Sequence, residues 1–284
     1  MREVLKMNDK TAIPILGLGT WLVENDKAER VVSQALKLGY RHIDTAQAYK
    51  NEVGVGKGIF LSGIPREEIF VTSKVAAEHK NYQDASQSID LSLRDLGLDY
   101  LDLMIIHSPQ PWSEWRSSDK NFDQGNLEAW RALEDAQKAG KVKSIGLSNF
   151  LIKDVENILK NSNKKPAVNQ ILSHIGNTPF ALIDYCKEHN IVVEAYSPIA
   201  HGQALKNDIL KKVASKYNVS SVQLSIQYIL QLGMVALPKA ENPEHMLSNM
   251  TLDFTISRED MALLKSVKFV DYGEYANFPV FSGK

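Results

Sequence analysis

Apolar residues along this chain alternate between two rhythms. Short runs such as Ile69-Phe70-Val71 and Leu101-Asp102-Leu103-Met104-Ile105-Ile106 are consecutive, as in strands buried on both faces. Between them, apolar residues recur three and four apart, as on one face of a helix. Ala28, Val31, Val32 and Ala35 make such a face, as do Ala85, Ile89, Leu93 and Leu96, and later Leu127, Trp130, Leu133 and Ala136. Glycines punctuate the change of rhythm: Gly39, Gly63, Gly97 and Gly140 each follow a helical stretch.

In chain order, residues 3–14 read as a small hairpin around Asn8-Asp9-Lys10, able to plug one end of a barrel. Strands are expected over 15–21, 41–44, 69–74, 101–107, 142–147, 167–171, 191–196 and 235–237. Helices fill most of the gaps. A polar loop runs from Ser108 to about Gln124, and two helical pieces, 207–217 and 221–232, precede the last strand. Eight strand-helix units are the number that closes a parallel (β/α)8 TIM barrel. The rival, a doubly wound sheet, favours a glycine-rich loop after its first strand. Here Gly17-Leu18-Gly19 lies within the strand and lacks the dinucleotide fingerprint. No composition shift divides the chain, so residues 1–284 are expected to form a single barrel domain. The tail from Val270 to Lys284 holds Tyr272, Tyr275, Phe278 and Phe281 without periodicity. It could cover the barrel bottom or line the mouth of a site.

Bulk numbers exclude several classes. The 284 residues are 44% hydrophobic and 24% charged, with a formal net charge of −1. That balance offers no field for nucleic acid or an anionic membrane. One cysteine, Cys186, precludes an internal disulfide and fits a reducing compartment. No signal-like or membrane-spanning apolar run is visible, so a cytoplasmic protein is expected and the sequon at Asn218 reads as accidental. Seven histidines form no HExxH pair, so no metal site is expected; His174, His189 and His201 stand apart. No GxSxG marks a serine hydrolase.

The candidate chemistry sits where strands end. Asp44 closes one strand and Tyr49 lies in the loop after it. Lys74 and His107 close the next two. In a closed parallel barrel these ends share one face. A free phenol titrates near 10, and a nearby ammonium lowers that value, so Lys74 would prepare Tyr49 as a general acid while Asp44 holds Lys74. His107 could orient an oxygen gathering negative charge. Hydride addition to a carbonyl fits this set. Each residue also has a plainer role: Asp44 as a cap, Tyr49 as a rim aromatic, Lys74 as a surface pair, His107 as a hydrogen-bonded residue. Later strand ends carry Ser148-Asn149, Gln170, Tyr196-Ser197-Pro198 and Lys239. Amides, an aromatic face and a lysine suit a nicotinamide dinucleotide, held without a Rossmann loop. Barrel-interior packing is the plainer role of Gln170.

These residues resemble the aldo-keto reductase family. Gly39-Tyr40-Arg41-His42-Ile43-Asp44-Thr45-Ala46, Tyr49 and Asn51-Glu52 carry the likeness, followed in order by Leu101-Asp102-Leu103, Ile106-His107, Gly146-Leu147-Ser148-Asn149-Phe150, Val168-Asn169-Gln170, Tyr196-Ser197-Pro198 and Pro238-Lys239. The resemblance runs from about Lys6 to Asp260. It implies NADPH-dependent reduction of aldehydes, ketones or dicarbonyls by a monomer that binds cofactor first. Tyr49 would be the proton donor with Lys74 and Asp44, and His107 would orient substrate. Ser148, Asn149 and Gln170 would meet the carboxamide, and Tyr196 the ring. Ser197, Pro198, Lys239, Ala240, His245 and Asn249 would follow the phosphates and adenosine. Gly19, Thr20, Trp21 and Asp44 would complete the cofactor site, and Trp21 and Trp112 the substrate walls.

The chain departs from the family pattern in places. Val75-Ala76-Ala77 replaces a bulky wall, and Ser108-Pro109-Gln110-Pro111-Trp112 stands where a tryptophan often follows the histidine directly. Ala240, His245 and Ser248 replace a serine, an arginine and a glutamate, so NADH is expected to be usable as well. Two other classes stay open: a Schiff-base lyase using Lys74, and a non-catalytic cofactor-binding protein.

Overall fold

The computed structural model describes residues 3–117, 119–269 and 271–283. Met1, Arg2, Ser118, Val270 and Lys284 lie outside the described residues. That includes both ends of the aromatic tail and one residue of the polar loop.

The chain opens with an antiparallel hairpin, β1 (Val4–Lys6) and β2 (Ala12–Pro14), with Leu5 opposite Ile13. Ile13 and Met7 are buried against Phe70, Leu103, Ile105, Val168 and Val235. The hairpin therefore seals the end of the barrel opposite the catalytic-residue candidates, as its position in the sequence suggested.

Eight parallel strands follow: β3 (Leu18–Gly19), β4 (His42–Asp44), β5 (Phe70–Val75), β6 (Leu101–Ile106), β7 (Val142–Ser148), β8 (Val168–Leu172), β9 (Val192–Tyr196) and β10 (Val235–Leu237). They pair in sequence order from β3 to β10. The seam closes through backbone bonds on either side of Leu16. Gly17 N–H donates to Ala236 O (2.9 Å), Ala236 N–H to Ile15 O (2.8 Å) and Gly19 N–H to Pro238 O (3.1 Å). The fold is the (β/α)8 barrel.

The first barrel strand is shorter than the expected 15–21. It pairs with β4 only at Leu18 and Gly19, while Leu16 bridges Ala236 on the other side, and Gly17 passes close to the His42 ring and the Leu237 side chain. A Cβ at Gly17 would lie 2.8 Å from that ring.

The outer layer contains α1 (Asn25–Leu38), α2 (Glu52–Ser62), α3 (Tyr82–Leu96), α4 (Asp123–Lys138), α5 (Ile152–Asn161), α6 (Phe180–Glu188), α7 (Asp208–Lys216), α8 (Ser221–Gln231), α9 (Pro243–Met250) and α10 (Arg258–Ser266). Their apolar faces pack on the strands around buried Trp130, Phe150 and Tyr228. Gly97 caps α3 at φ 65, a left-handed conformation that glycine adopts without strain. Gly56 lets α2 cross the end of α3 so closely that a Cβ would sit 2.0 Å from Leu96 O. No helix among the described residues is long and apolar enough to cross a membrane. The aromatic tail forms two short 3-10 turns, Gly273–Asn277 and Pro279–Phe281, over the C-terminal ends of the strands. Of its two open placements, the mouth is the one adopted.

Candidate active site

A cavity of about 560 Å³ opens at the C-terminal ends of the strands. Its floor holds Asp44, Tyr49 and His107, and Lys74 lies just beneath, fully buried. The Lys74 ammonium has three hydrogens, and each has an acceptor. Nζ donates to Asp44 Oδ1 (2.7 Å), Thr45 O (2.8 Å) and the Tyr49 oxygen (3.3 Å). Because the Tyr49 oxygen accepts from Lys74, its own O–H is left to point elsewhere, and the ring lines the cavity. Asp44, Tyr49 and Lys74 are thus joined by direct hydrogen bonds at the cavity floor, with the His107 ring 5.7 Å from that of Tyr49.

Their protonation states follow from the surroundings. Burial raises the Tyr49 pKa, while Lys74 pulls it down and Asp44 pushes it up. The net shift is upward, against the expectation that Lys74 would set the balance: desolvation of the phenolate outweighs the ammonium. Burial works against the charged form of Lys74, but the Asp44 and Tyr49 oxygens more than compensate and its pKa rises. His107 is held well below its ordinary value by burial, with Lys74 and Lys80 adding repulsion. It is a neutral imidazole. Its Nδ1 is buried without a partner among the described residues, and its ring meets Tyr49 (5.7 Å) and Trp112 (5.1 Å) edge-on.

One wall carries amides and hydroxyls. Ser148, Asn149, Gln170, Tyr196, Ser197 and Pro198 line it. Asn149 Nδ2 donates to His107 O and Ser148 Oγ, and Tyr196 O–H donates to Asn149 Oδ1 at 2.7 Å. Asn149 and Ser197 both adopt positive φ, 63 and 51, which turns the chain sharply at the cavity edge. Gln170 lines the wall, yet its amide nitrogen donates inward to Asp44 Oδ2 (2.7 Å) and Glu194 Oε2 (3.1 Å). Gly19, Trp21 and Lys239 line the remaining side.

Four expected cofactor residues are not in the cavity lining. Thr20 is buried and donates its hydroxyl to Asp44 O (3.0 Å), so it braces the strand end. Ala240 packs in the core, and Asn249 is buried within α9. His245 is exposed in the first turn of α9. Lys239 Nζ pairs with Glu241 at 2.7 Å, a neighbour that sequence reading passed over. Trp112, five residues past His107, reaches back beside it and lines the cavity.

The tail and the loop after Ser197 supply walls not assigned from sequence. His201 stacks on Tyr275 at 4.2 Å and bonds Ser197 Oγ. Trp21 meets Phe278 (4.9 Å) and Phe281 (5.8 Å). The aromatic density of the tail was the available signal; its docking point was not encoded in any periodicity. Of the other isolated residues, Cys186 is buried and accepts from Asn169 Nδ2, and His174 bonds Ile175 O and Tyr272 O–H.

The aldo/keto reductase family profile matches residues 15–268. The chain is 42% identical over 263 residues to glyoxal reductase of Bacillus subtilis, covering 92% of this chain and 91% of that protein. It is 37% identical over 304 residues to an aldehyde reductase of Saccharomyces cerevisiae, covering 98% and 96%. Among solved structures, an aldo/keto reductase from Brucella melitensis superposes with a TM-score of 0.86 at 38% identity, covering 93% of this chain and 99% of that one. A Bombyx mori aldo-keto reductase in complex with NADP superposes at 0.84 with 30% identity, covering 99% of each. The match begins at the barrel seam and ends past the last helix, and it spans all the strand ends that build the cavity: the chain belongs to the aldo/keto reductase family.

Proposed function

We propose that this oxidoreductase reduces aldehydes, ketones or dicarbonyls to alcohols with NADPH, and that Tyr49 delivers the proton. The carrying observation is the assignment of all three Lys74 hydrogens, one of them to the Tyr49 oxygen. The raised pKa keeps Tyr49 protonated at neutral pH, so the proton is present to be given. Lys74, 3.3 Å away, stabilises the phenolate that remains. Neutral His107 offers one N–H to a carbonyl oxygen, which fixes the carbonyl beside Tyr49.

The donor set fits a nicotinamide cofactor. A planar ring finds an aromatic face in Tyr196, and a carboxamide finds Ser148, Asn149 and the side-chain oxygen of Gln170. Lys239 would hold a phosphate-bearing end. When bound, the reduced nicotinamide supplies the hydride. The solved relative with NADP and the glyoxal and aldehyde reductases among the curated relatives support this cofactor and substrate class.

A Schiff-base role for Lys74 has the opposite support, since its nitrogen is charged and fully engaged. NADPH oxidation against glyoxal, methylglyoxal and aromatic aldehydes tests the reading. Tyr49→Phe should lower kcat about 10²- to 10⁴-fold, the usual worth of a positioned general acid, while fluorescence titration shows unchanged NADPH affinity. Retained turnover with chemistry rate-limiting would require another acid. Tight NADPH binding without turnover on any carbonyl would favour a binding protein.

A further inference from the structure

Beneath Asp44 and Lys74 lies a second polar layer that the proposed reaction does not use. Glu194 of β9 and His42 of β4 are both fully buried and meet across the barrel, with Glu194 Oε1 3.6 Å from His42 Nε2. Glu194 Oε2 accepts from the Gln170 amide, whose other hydrogen goes to Asp44 Oδ2. The two carboxylates are thus bridged by a single –NH2 group. Glu194 Oε1 has no hydrogen-bond partner among the described residues.

Charge counting limits the possible states. The titratable groups facing Glu194 are Asp44 and His42 of β4 and Lys74 of β5; Asp102 of β6 acts on His42 from farther away. Lys74 is already paired with Asp44 at 2.7 Å. With His42 neutral between Pro14 O and the Thr72 hydroxyl, an ionised Glu194 would leave two buried carboxylates against one ammonium, and a buried unpaired charge is costly. A neutral carboxyl removes that excess. It also gives Oε1 a hydrogen on the side of His42 Nε2, 3.6 Å away, which already meets the Thr72 hydroxyl at 3.2 Å, while the ring can carry its own hydrogen on Nδ1 toward Pro14 O, 3.4 Å away. Gly17 leaves room for the ring, since a Cβ there would strike it.

We infer that Glu194 is a positioning residue that acts as a neutral carboxylic acid at neutral pH, holding Gln170 against Asp44 without adding a second negative charge behind the Asp44–Lys74 pair. Burial, reinforced by the Asp44 charge, pushes its pKa up to about 8, while burial drives that of His42 down to about 4. Both shifts agree with a neutral Glu194–His42 pair. On raising the pH the carboxyl loses its proton to solvent. A second negative charge then sits behind Asp44, and it disfavours the Tyr49 phenolate. Tyr49 becomes a weaker acid, and reduction slows while its hydroxyl is still protonated.

The inference rests on Tyr49 as the acid only in its kinetic part, so the test has two arms. Infrared spectra of the wild-type protein should show a protonated-carboxyl C=O band at pH 6.5 that fades by pH 9.5 and is missing from Glu194→Gln. In the kinetic arm, wild-type kcat for carbonyl reduction with saturating NADPH should fall severalfold from pH 7 to pH 9. The profile of Glu194→Gln, which is permanently neutral, should be flat over the same range. Absence of the band in the wild type, its persistence in Glu194→Gln, or the same decline in both proteins would overturn the inference. If Glu194→Gln does not fold, the wild-type band and its pH course still decide: a band lacking at pH 6.5 or unchanged at pH 9.5 overturns it. Loss of the Tyr49 role would show separately, as turnover surviving in Tyr49→Phe with the infrared band intact.

Discussion

The Lys74 ammonium stands 3.3 Å from the Tyr49 oxygen and 4.8 Å from the centre of the same ring. The charge therefore acts on the phenolic oxygen and on the face of the ring together. Lys74→Met keeps much of the volume and removes that charge. Asp44, nearly fully buried, is left without its cation, a change that costs about 3–5 kcal/mol in buried pairs. Urea denaturation should show a loss of that order, and carbonyl reduction should fall at least as far as in Tyr49→Phe. A variant of wild-type stability would mean that Asp44 finds another partner or takes up a proton.

Lys239 is drawn toward Glu241 at 2.7 Å, and both side chains are partly exposed. Surface pairs of this kind are worth about 0–1 kcal/mol. Glu241→Gln should therefore tighten NADPH relative to NADH by up to about fivefold, because Lys239 is released and a repelling carboxylate is lost. His245→Arg should act in the same direction, since arginine offers a fixed charge and a two-pronged donor to phosphate. Dissociation constants for both cofactors in both variants check this. An unchanged ratio would place the discriminating phosphate contact elsewhere.

Phe281 is buried among Tyr272, His201, Tyr196 and Trp21. Phe281→Ala should unpin the tail from the cavity mouth and cost up to about 3 kcal/mol, the low end for a buried aromatic. KM should rise more for aromatic aldehydes than for glyoxal, which is too small to span the aromatic wall. Equal changes for both substrates would assign the tail a purely structural part.

A Cβ added at Gly56 would lie 2.0 Å from Leu96 O, closer than any real contact. The opposing atom is backbone, so α2 must move away from α3. Gly56→Ala should destabilise by about 1–3 kcal/mol or more despite alanine's better helix propensity. Thermal melting would read the loss; a gain in stability would show that the two helices separate easily.

The order of elements was legible because apolar spacing is a local property. Eight consecutive runs with helical spacing between them leave few topologies, and a parallel barrel brings all the strand ends to one face. Asp44, Tyr49, Lys74 and His107 could be read as candidates for the same reason: each occupies the end of its own strand or the loop after it. Trp112 was expected as a substrate wall through the family resemblance and not through any local spacing. Its return into the cavity depends on how the loop after β6 folds.

What tertiary structure decided concerns residues far apart in sequence. Burial sets the sign of the Tyr49 shift, and burial is a sum over the whole barrel. Thr20, expected at a cofactor, donates its hydroxyl to Asp44 O, a bond between residues 24 apart that the pairing of their strands brings about. The tail has no period, so only its aromatic content hinted at a role, and contacts with Trp21 and His201 placed it over the mouth. Glu194 and His42 are separated by most of the chain, and their meeting inside the barrel follows from its closure. Spacing along the sequence determined which side chains each strand end presents. Closure determined which of them share a proton, a charge or a wall, because those interactions depend on distance and dielectric, which only the folded chain defines.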